Sequence, residues 1–343
     1  MKQLLPLIIL LAGLSPVSAA SLDRSLRTDG KIVLEALNDV ADIAKKCTVQ
    51  IYNGARFVGL GTVISEDGLI VAKNSEYSTV REGKVRVTGS GLGPRILSAR
   101  VVARDIPHDF VILDIDRDTE PGFEWAESKE AAHGTWVLAG VMGSTRASPV
   151  RCGVLSANQR TIKKAGGVIG VILGGKDGEE FGGVEVTEVA KDGPAFKAGV
   201  KKGDVIFAID DEEVFVRQKM IDKVKSHDPG TAIKVSLKRG GKEMELEITL
   251  GYRNIVYADM KSRNDRMSGK VSVRRTGFQS ALQHEISLGP SDMGGPLFDL
   301  EGRLVGINIA KANRVEFYAI PADAIRQVLE EKADEIAVAR GEK

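Results

Sequence analysis

The sequence has little cysteine, little histidine and few aromatic residues. Its 343 residues include two cysteines and four histidines, and aromatic residues make up 5%. Two cysteines are too few for a disulfide-built scaffold or a cysteine-rich zinc site. The pair His284-Glu285 lacks the second histidine of a helical zinc motif, because position 288 is leucine. We therefore expect no bound metal and no cofactor.

An excess of charge of one sign is also absent. Lys and Arg total 48 and Asp and Glu total 47, which gives a formal charge of +1. A chain this close to neutrality is a poor candidate for nucleic-acid binding. After the first twenty residues the apolar runs are short, far below the roughly 20 residues of a membrane-spanning helix. We expect no nucleic-acid partner and no stable membrane insertion of the mature chain.

The first twenty residues have the pattern of a secretory signal. Lys2 supplies the positive charge, 4–14 is apolar, and Val17-Ser18-Ala19 offers small residues to a signal peptidase. We expect cleavage near Ala19 or Ala20 and a secreted or periplasmic protein, with an uncleaved anchor as the alternative.

The predicted compartment affects the state of the two cysteines. An oxidising environment outside the cytoplasm allows a disulfide between Cys47 and Cys152. Two free thiols are the alternative, and the sequence leaves both open.

The remaining chain alternates between short apolar runs and turn residues. Residues 30–46 and 321–338 have the three- and four-residue spacing of helices. Asp67-Gly68 and Glu301-Gly302 separate pairs of apolar runs, a hairpin pattern, with a type I′ turn expected at the first. Many short strands at this spacing favour antiparallel barrels. Residues 165–251 read instead as a small α+β module, with a helix from about Val214 to Ser226 and a mobile glycine-rich loop at 174–183.

Three ordered segments, 59–75, 105–115 and 290–308, together resemble the HtrA branch of the chymotrypsin-fold serine proteases. They include Gly59-Leu60-Gly61-Thr62-Val63, His108-Asp109-Phe110-Val111-Ile112-Leu113 and Gly294-Gly295-Pro296-Leu297. The resemblance implies a mainly β fold: a chymotrypsin-like double antiparallel β-barrel with flanking helices. It also implies that these segments hold the three positions of a catalytic triad.

Carried onto this sequence, the family's aspartate is retained as Asp109, whereas its histidine position is Ser75 and its nucleophile position is Met293. The oxyanion loop would comprise Ser291, Asp292 and Met293. A thioether has no proton to lose, and a serine hydroxyl cannot act as a base near neutral pH. We therefore expect a pseudoprotease without an active catalytic residue. The alternative is a serine endopeptidase of protein quality control that uses a non-standard triad, for example with Ser291.

Residues 165–251 resemble an HtrA-type PDZ domain through Val168-Ile169-Gly170-Val171 and Gly193-Pro194-Ala195. The resemblance implies that backbone N–H groups at 169–171 bind a partner's terminal carboxylate and that the partner adds as a strand. Met220, Ile221 and Val224 would wall a pocket for its last side chain. The alternative is that these apolar residues only form the module's core.

The domain order departs from the family's usual one, in which the PDZ module follows the whole protease, because here the module lies inside the second barrel. We expect the first barrel at 30–119, the second at 120–164 and 252–335, and the inserted PDZ domain at 165–251. The predicted function is an adaptor, sensor or chaperone-like protein that binds peptide C-termini. An active protease homologue is a further candidate partner, and a homo-oligomer a candidate assembly.

Overall fold

The computed structural model describes residues 23–27, 30–77, 84–127, 129, 131–141, 149–178, 180–257 and 267–341. The predicted signal peptide lies outside these residues. The chain divides into two compact units, 1–38 and 39–343. Within the first, a short 3-10 turn at Arg24–Leu26 precedes helix α1, Lys31–Ala36.

Helix α2, Asn38–Cys47, follows α1 after a break. The prediction of one helix over 30–46 is therefore wrong in detail. Leu37 N–H bonds back three residues to the Leu34 carbonyl, at 3.3 Å. This tight last turn ends α1 and lets α2 begin separately.

The first six strands form a closed antiparallel barrel in the order β1-β2-β3-β6-β5-β4. Strands β1, β2 and β3 are Thr48–Asn53, Arg56–Val63 and Leu69–Lys73. Strands β4, β5 and β6 are Lys84–Thr88, Leu97–Asp105 and Phe110–Asp114. The hairpin predicted at Asp67-Gly68 joins β2 to β3. Its turn is not type I′, because only Gly68, and not Asp67, has a positive φ.

A second closed barrel has the order β15-β18-β17-β16-β7-β8. Its first strands are β7, Trp136–Gly140, and β8, Val150–Ile162. The other four come much later in the chain: β15, β16, β17 and β18 are Phe278–His284, Pro296–Phe298, Leu304–Lys311 and Phe317–Pro321. Two six-stranded antiparallel barrels confirm the predicted mainly β fold.

Between β8 and β15 the chain forms a separate sheet in the order β14-β13-β11-β10-β9, with β12 paired to β11. Strands β9, β10 and β11 are Val171–Gly178, Gly183–Val189 and Val205–Ile209. Strands β12, β13 and β14 are Glu212–Glu213, Ala232–Arg239 and Lys242–Thr249. Helices α3 and α4 are Pro194–Lys197 and Arg217–Lys225. The chain enters and leaves this sheet side by side, since Val168 and Gly251 form an antiparallel bridge.

The described residues of the glycine-rich stretch at 174–183 are partly strand and partly turn, whereas a mobile loop was expected. Strand β9 runs through it to Gly178, where Gly183 of β10 lies opposite. Backbone pairing needs no side chain, so the glycines do not prevent the ladder from continuing.

Short helices complete the fold. Helix α5, Arg253–Val256, leads out of the inserted sheet. The C-terminal segment forms α6, Ala322–Glu331, and α7, Ala333–Arg340, where one helix was predicted. Ile325 and Val328 of α6 and Ile336 of α7 are buried in a core shared with Phe110 and Phe278, which belong to different barrels. This shared core holds the two barrels together.

Candidate functional site

Asp109, at the predicted triad aspartate position, is the anionic partner in a buried ion pair. The last residue of β3, Lys73, lies opposite Phe110 at the start of β6, which brings its side chain to Asp109. Lys73 Nζ lies 2.6 Å from Asp109 Oδ2, and the two side chains are 1% and 2% exposed. Sequence reasoning missed Lys73. The available signal was its position two residues before Ser75, at the end of an apolar strand.

Ser75 binds the same carboxylate. It lies in a 3-10 turn, Asn74–Tyr77, and donates its backbone N–H to Asp109 Oδ1 at 2.8 Å. Its hydroxyl donates to Asp109 Oδ2 at 2.9 Å. Asp109 therefore accepts from one ammonium, one amide and one hydroxyl, which satisfies a buried carboxylate without an imidazole. The Ser75 hydroxyl donates a hydrogen bond to this carboxylate, and the Lys73 ammonium neutralises the carboxylate's charge. This arrangement therefore contains no general base.

Met293, at the nucleophile position, is 1% exposed and packs in the core of the second barrel with Leu297 and Val305. The loop before it forms a 3-10 turn, Pro290–Asp292. The Met293 N–H donates to the Pro290 carbonyl at 3.4 Å. The Asp292 N–H donates to the Gly289 carbonyl at 3.1 Å. Two amides at the proposed oxyanion positions are thus used inside the turn.

Ser291 differs from its neighbours because it is exposed. A nucleophilic serine needs a base within hydrogen-bond reach. In the described part of both barrels, no histidine ring nitrogen is hydrogen bonded to a hydroxyl or thiol. His108 pairs with Asp105 through Nδ1 at 2.8 Å. The contact between Ser226 Oγ and His227 Nδ1, at 3.4 Å, lies at the end of α4 in the inserted sheet.

His284 is a structural histidine in the core of the second barrel. Its Nε2 lies 2.8 Å from Asn308 Oδ1, and its Nδ1 accepts from the Ile286 N–H at 3.2 Å. The Asn308 amide group is fixed in turn, because its Nδ2 donates to the Gly295 and Pro296 carbonyls. Burial lowers the pKa of His284 to about 4, so the ring is neutral and donates to Asn308.

Both cysteines are free thiols, so the disulfide that the sequence left open is not formed. Cys47 is fully buried at the end of α2, with Sγ 3.7 Å from the Ala44 carbonyl. Burial raises the pKa of the Cys47 thiol to about 12. At neutral pH the Cys47 thiol is therefore protonated and is not a nucleophile.

In the inserted sheet, the unpaired edge of β9 and helix α4 enclose a groove of about 550 Å³. The predicted peptide-binding residues come together there: its lining includes Val168, Ile169, Val171, Met220, Ile221 and Val224. Gly170 does not line the groove but shapes it, with a φ of +86° in the turn before β9. Met220 and Val224 are also buried among the core side chains of the sheet. The two interpretations of these apolar residues are thus compatible.

One end of the groove is contacted by the chain that leaves the inserted sheet. The Tyr257 hydroxyl donates to the Val171 carbonyl at 3.0 Å. The side chain of Val256 lies against Gly170, where an added Cβ would come within 2.8 Å of Val256 Cγ1. Sequence reasoning missed both residues. Tyr257 occupies a backbone acceptor on the edge of β9, the edge at which a strand would be added.

The groove and the Asp109 ion pair are connected through a short segment of the second barrel. Lys73 Nζ also donates to the Arg274 carbonyl at 3.1 Å. The next residue, Arg275, lines the groove. The two candidate sites therefore share neighbouring residues of one chain segment.

Comparisons with known proteins agree with this architecture. The PDZ domain family model matches residues 167–250. A "Probable periplasmic serine endoprotease DegP-like" of Pseudomonas putida (strain W619) is 24% identical over 275 residues, covering 57% of this chain and 56% of the relative. "Serine endoprotease DegS" of Escherichia coli (strain K12) is 34% identical over 72 residues, covering 21% and 20% of the two chains. The chain is a trypsin-fold protein of the HtrA family with a PDZ domain.

This HtrA-family chain spans 56% and 62% of the lengths of two DegP-like relatives. Among solved structures, "HtrA-type protease AlgW with decapeptide" is 17% identical with a TM-score of 0.30, covering 63% of this chain and 98% of that one. Because this TM-score is low, the fold assignment rests on the strand pairing described above and not on the superposition. Among the described residues, no helix has the length and apolar character needed to cross a membrane.

Proposed function

We propose that this HtrA-family chain is a pseudoprotease that binds peptide C-termini through its PDZ domain. It would act as an adaptor, a sensor or a chaperone-like protein. The observation that carries the proposal is the state of Asp109, which is neutralised by buried Lys73 at 2.6 Å and bonded by Ser75. In a serine protease the corresponding carboxylate orients an imidazole that accepts the nucleophile's proton.

The chemistry at the nucleophile position supports the same proposal. Acyl transfer needs an attacking oxygen or sulfur with a removable proton and amides free to bind the oxyanion. Met293 offers a buried thioether. The Met293 and Asp292 amides are bonded within the turn. Each of these features works against peptide-bond cleavage independently of the others.

An active serine endopeptidase with a non-standard triad is the second candidate. Two observations favour it: the curated relatives are named serine endoproteases, and Ser291 is exposed close to the nucleophile position. Its requirement is an imidazole that reaches Ser291 in solution. His284 would have to leave its bonds to Asn308 and Ile286 to meet that requirement.

Peptide binding is supported by the groove itself. An apolar floor from Ile169, Met220 and Val224 can take a terminal side chain, and the unpaired edge of β9 can take a backbone. Tyr257 now donates to the Val171 carbonyl. A ligand backbone N–H that uses this carbonyl must therefore displace the tyrosine hydroxyl.

The domain division belongs to the same proposal: barrels at 30–119 and at 120–164 with 252–335, and the PDZ insertion at 165–251. The strand ranges and the bridge between Val168 and Gly251 support it.

We further propose a secreted or periplasmic location, supported by the sequence of residues 1–20 and by relatives that are named periplasmic. An active protease homologue and a second copy of the chain remain proposed partners.

Two measurements on one preparation of the purified mature protein test the proposal. A fluorophosphonate probe, which labels activated serines, should label no residue, and casein should stay intact. Stoichiometric labelling of Ser291 together with casein cleavage would establish the protease instead.

The second measurement uses fluorescence anisotropy with a peptide of apolar C-terminus, prepared once with a free carboxylate and once as its amide. The free acid should bind and the amide should bind much more weakly, because backbone N–H groups at 169–171 are the proposed carboxylate donors. Equal binding of both forms would contradict capture of a C-terminus.

A further inference from the structure

The groove beside β9 combines an apolar floor with a basic rim. Four of its lining residues are cationic: Arg217, Lys225, Arg253 and Arg275. No aspartate or glutamate lines it within the part of the chain that the structure describes. For a chain with a formal charge of only +1, this is a marked local excess of positive charge.

The four cations come from three separate parts of the chain. Arg217 and Lys225 are the first and last residues of α4, Arg253 begins α5, and Arg275 belongs to the segment before β15. They therefore meet at the groove only in the folded protein. Charged side chains on a solvated helix face would point away from an apolar cavity. The four cationic residues instead surround such a cavity.

Three of the cations have no carboxylate partner among the described residues. Lys225 is exposed. The guanidinium of Arg253 lies 5.4 Å from the ring centre of Tyr257, and Arg275 donates to the Ala312 carbonyl. By contrast Lys223, also on α4, already pairs with Glu212 at 2.6 Å. The positive charge of these three groove residues is thus not paired with a carboxylate in the part of the chain that the structure describes.

The ends of α4 mark the two ends of the groove. Near Lys225 the backbone approaches Gly166, just before the proposed carboxylate-binding residues, since an added Gly166 Cβ would lie 2.0 Å from the Lys225 carbonyl oxygen. The Arg217 N–H donates to Asp177, near the far end of β9. Eight helical steps of 1.5 Å separate the two residues by about 12 Å. An extended peptide covers that distance in about four residues.

We propose that the groove selects peptides with an apolar carboxyl-terminal residue and acidic side chains upstream of it. Arg217 pairs with an acidic side chain about three or four positions before the terminus, and Lys225 adds positive potential at the carboxylate end. Arg253 and Arg275, which also line the groove, add to this potential. This inference names the ligand class of the proposed peptide-binding function and rests on that function.

The test compares three labelled peptides of equal length and equal apolar C-terminus by anisotropy with the full mature chain. In each peptide the two residues three and four positions before the terminal residue are both glutamate, both glutamine or both lysine. The glutamate peptide should bind about fivefold more tightly than the glutamine peptide at low salt, which is the upper range for one partly exposed ion pair, here with Arg217. The lysine peptide should bind most weakly, and 0.5 M salt should compress the differences because it screens exposed charges.

Variants separate the charge effect from folding. Arg217→Gln should remove most of the preference for glutamate while leaving the affinity of the glutamine peptide unchanged. Lys219→Gln is the matched control, since Lys219 lies on the same helix, faces Glu212 and does not line the groove. It should preserve the preference.

The outcomes distinguish the preference for acidic side chains from the binding of a C-terminus itself. Equal affinity for the three peptides at low salt would overturn the acidic preference and leave C-terminal binding intact. Saturable binding by none of them would overturn both. A preference that persists in Arg217→Gln and disappears in Lys219→Gln would show that the groove's charges are not those that select the ligand.

Discussion

Replacing Lys73 tests whether Asp109, at the predicted triad aspartate position, has a structural role. The Lys73 ammonium is the charged partner of Asp109, with both side chains almost completely buried. In Lys73→Met the carboxylate keeps its two bonds from Ser75 but loses its counter-charge, and the Arg274 carbonyl loses a donor. Breaking a buried ion pair by removing one partner costs about 3–5 kcal/mol. We expect the lower end, about 3 kcal/mol, because the two Ser75 bonds remain.

Urea unfolding followed by tryptophan fluorescence measures this change. The chain has two tryptophans. Trp125 forms a bridge with Leu304, and Trp136 lies in β7, so the signal reports on the second barrel and not on the PDZ sheet. The shared core between the barrels transmits a loss at Lys73 to this signal. We expect a clear fall in the urea midpoint.

Two further variants make the result specific. Lys332→Met removes a partly exposed lysine whose partner is Glu335. It should leave the urea midpoint nearly unchanged, because ion pairs open to solvent contribute little to stability. Adding Asp109→Asn to Lys73→Met should restore part of the stability, because no unpaired charge is then buried. The reasoning is refuted if Lys73→Met costs no more than Lys332→Met, or if the double variant is less stable than Lys73→Met alone.

Three other predictions follow from the site. Tyr257→Phe should strengthen peptide binding about two- to tenfold, because the ligand no longer competes with a hydrogen bond worth about 0.5–1.5 kcal/mol; weaker binding in titration would contradict the competition. Lowering the pH from about 6.5 to 4 should cost up to about 3 kcal/mol of stability through His284, since its pKa is about 4 folded and 6.5 ordinarily, and the unfolded chain takes up the proton first. In His284→Gln this component of the urea-midpoint profile should be missing; an unchanged profile would assign it elsewhere. Ser75→His with Met293→Ser should still fail to cleave casein while Lys73 holds Asp109; efficient cleavage would refute the structural role of Lys73.

Much of the architecture was predictable because its signals are local. Short apolar runs and turn glycines predicted antiparallel barrels and a small α+β module, and the resemblance to the HtrA family implied two barrels and an inserted PDZ domain. The strand pairing and the family match confirm this fold. Helix breaks at Leu37 and Lys332 were missed. At Leu37 the last turn of α1 tightens to a hydrogen bond three residues back, and the hydrophobic spacing of the sequence continues across such a turn.

The sequence by itself determined which side chains stand where the resemblance to the HtrA family predicts a triad, namely Ser75, Asp109 and Met293. Only the tertiary structure decided what surrounds them. Lys73 meets Asp109 across 36 residues, and Tyr257 meets Val171 across 86. Such contacts depend on how the strands align and on where a returning segment lies, and both are set by packing of the whole domain. A local pattern specifies a residue's chemistry, but its partner is fixed only when distant segments fold together.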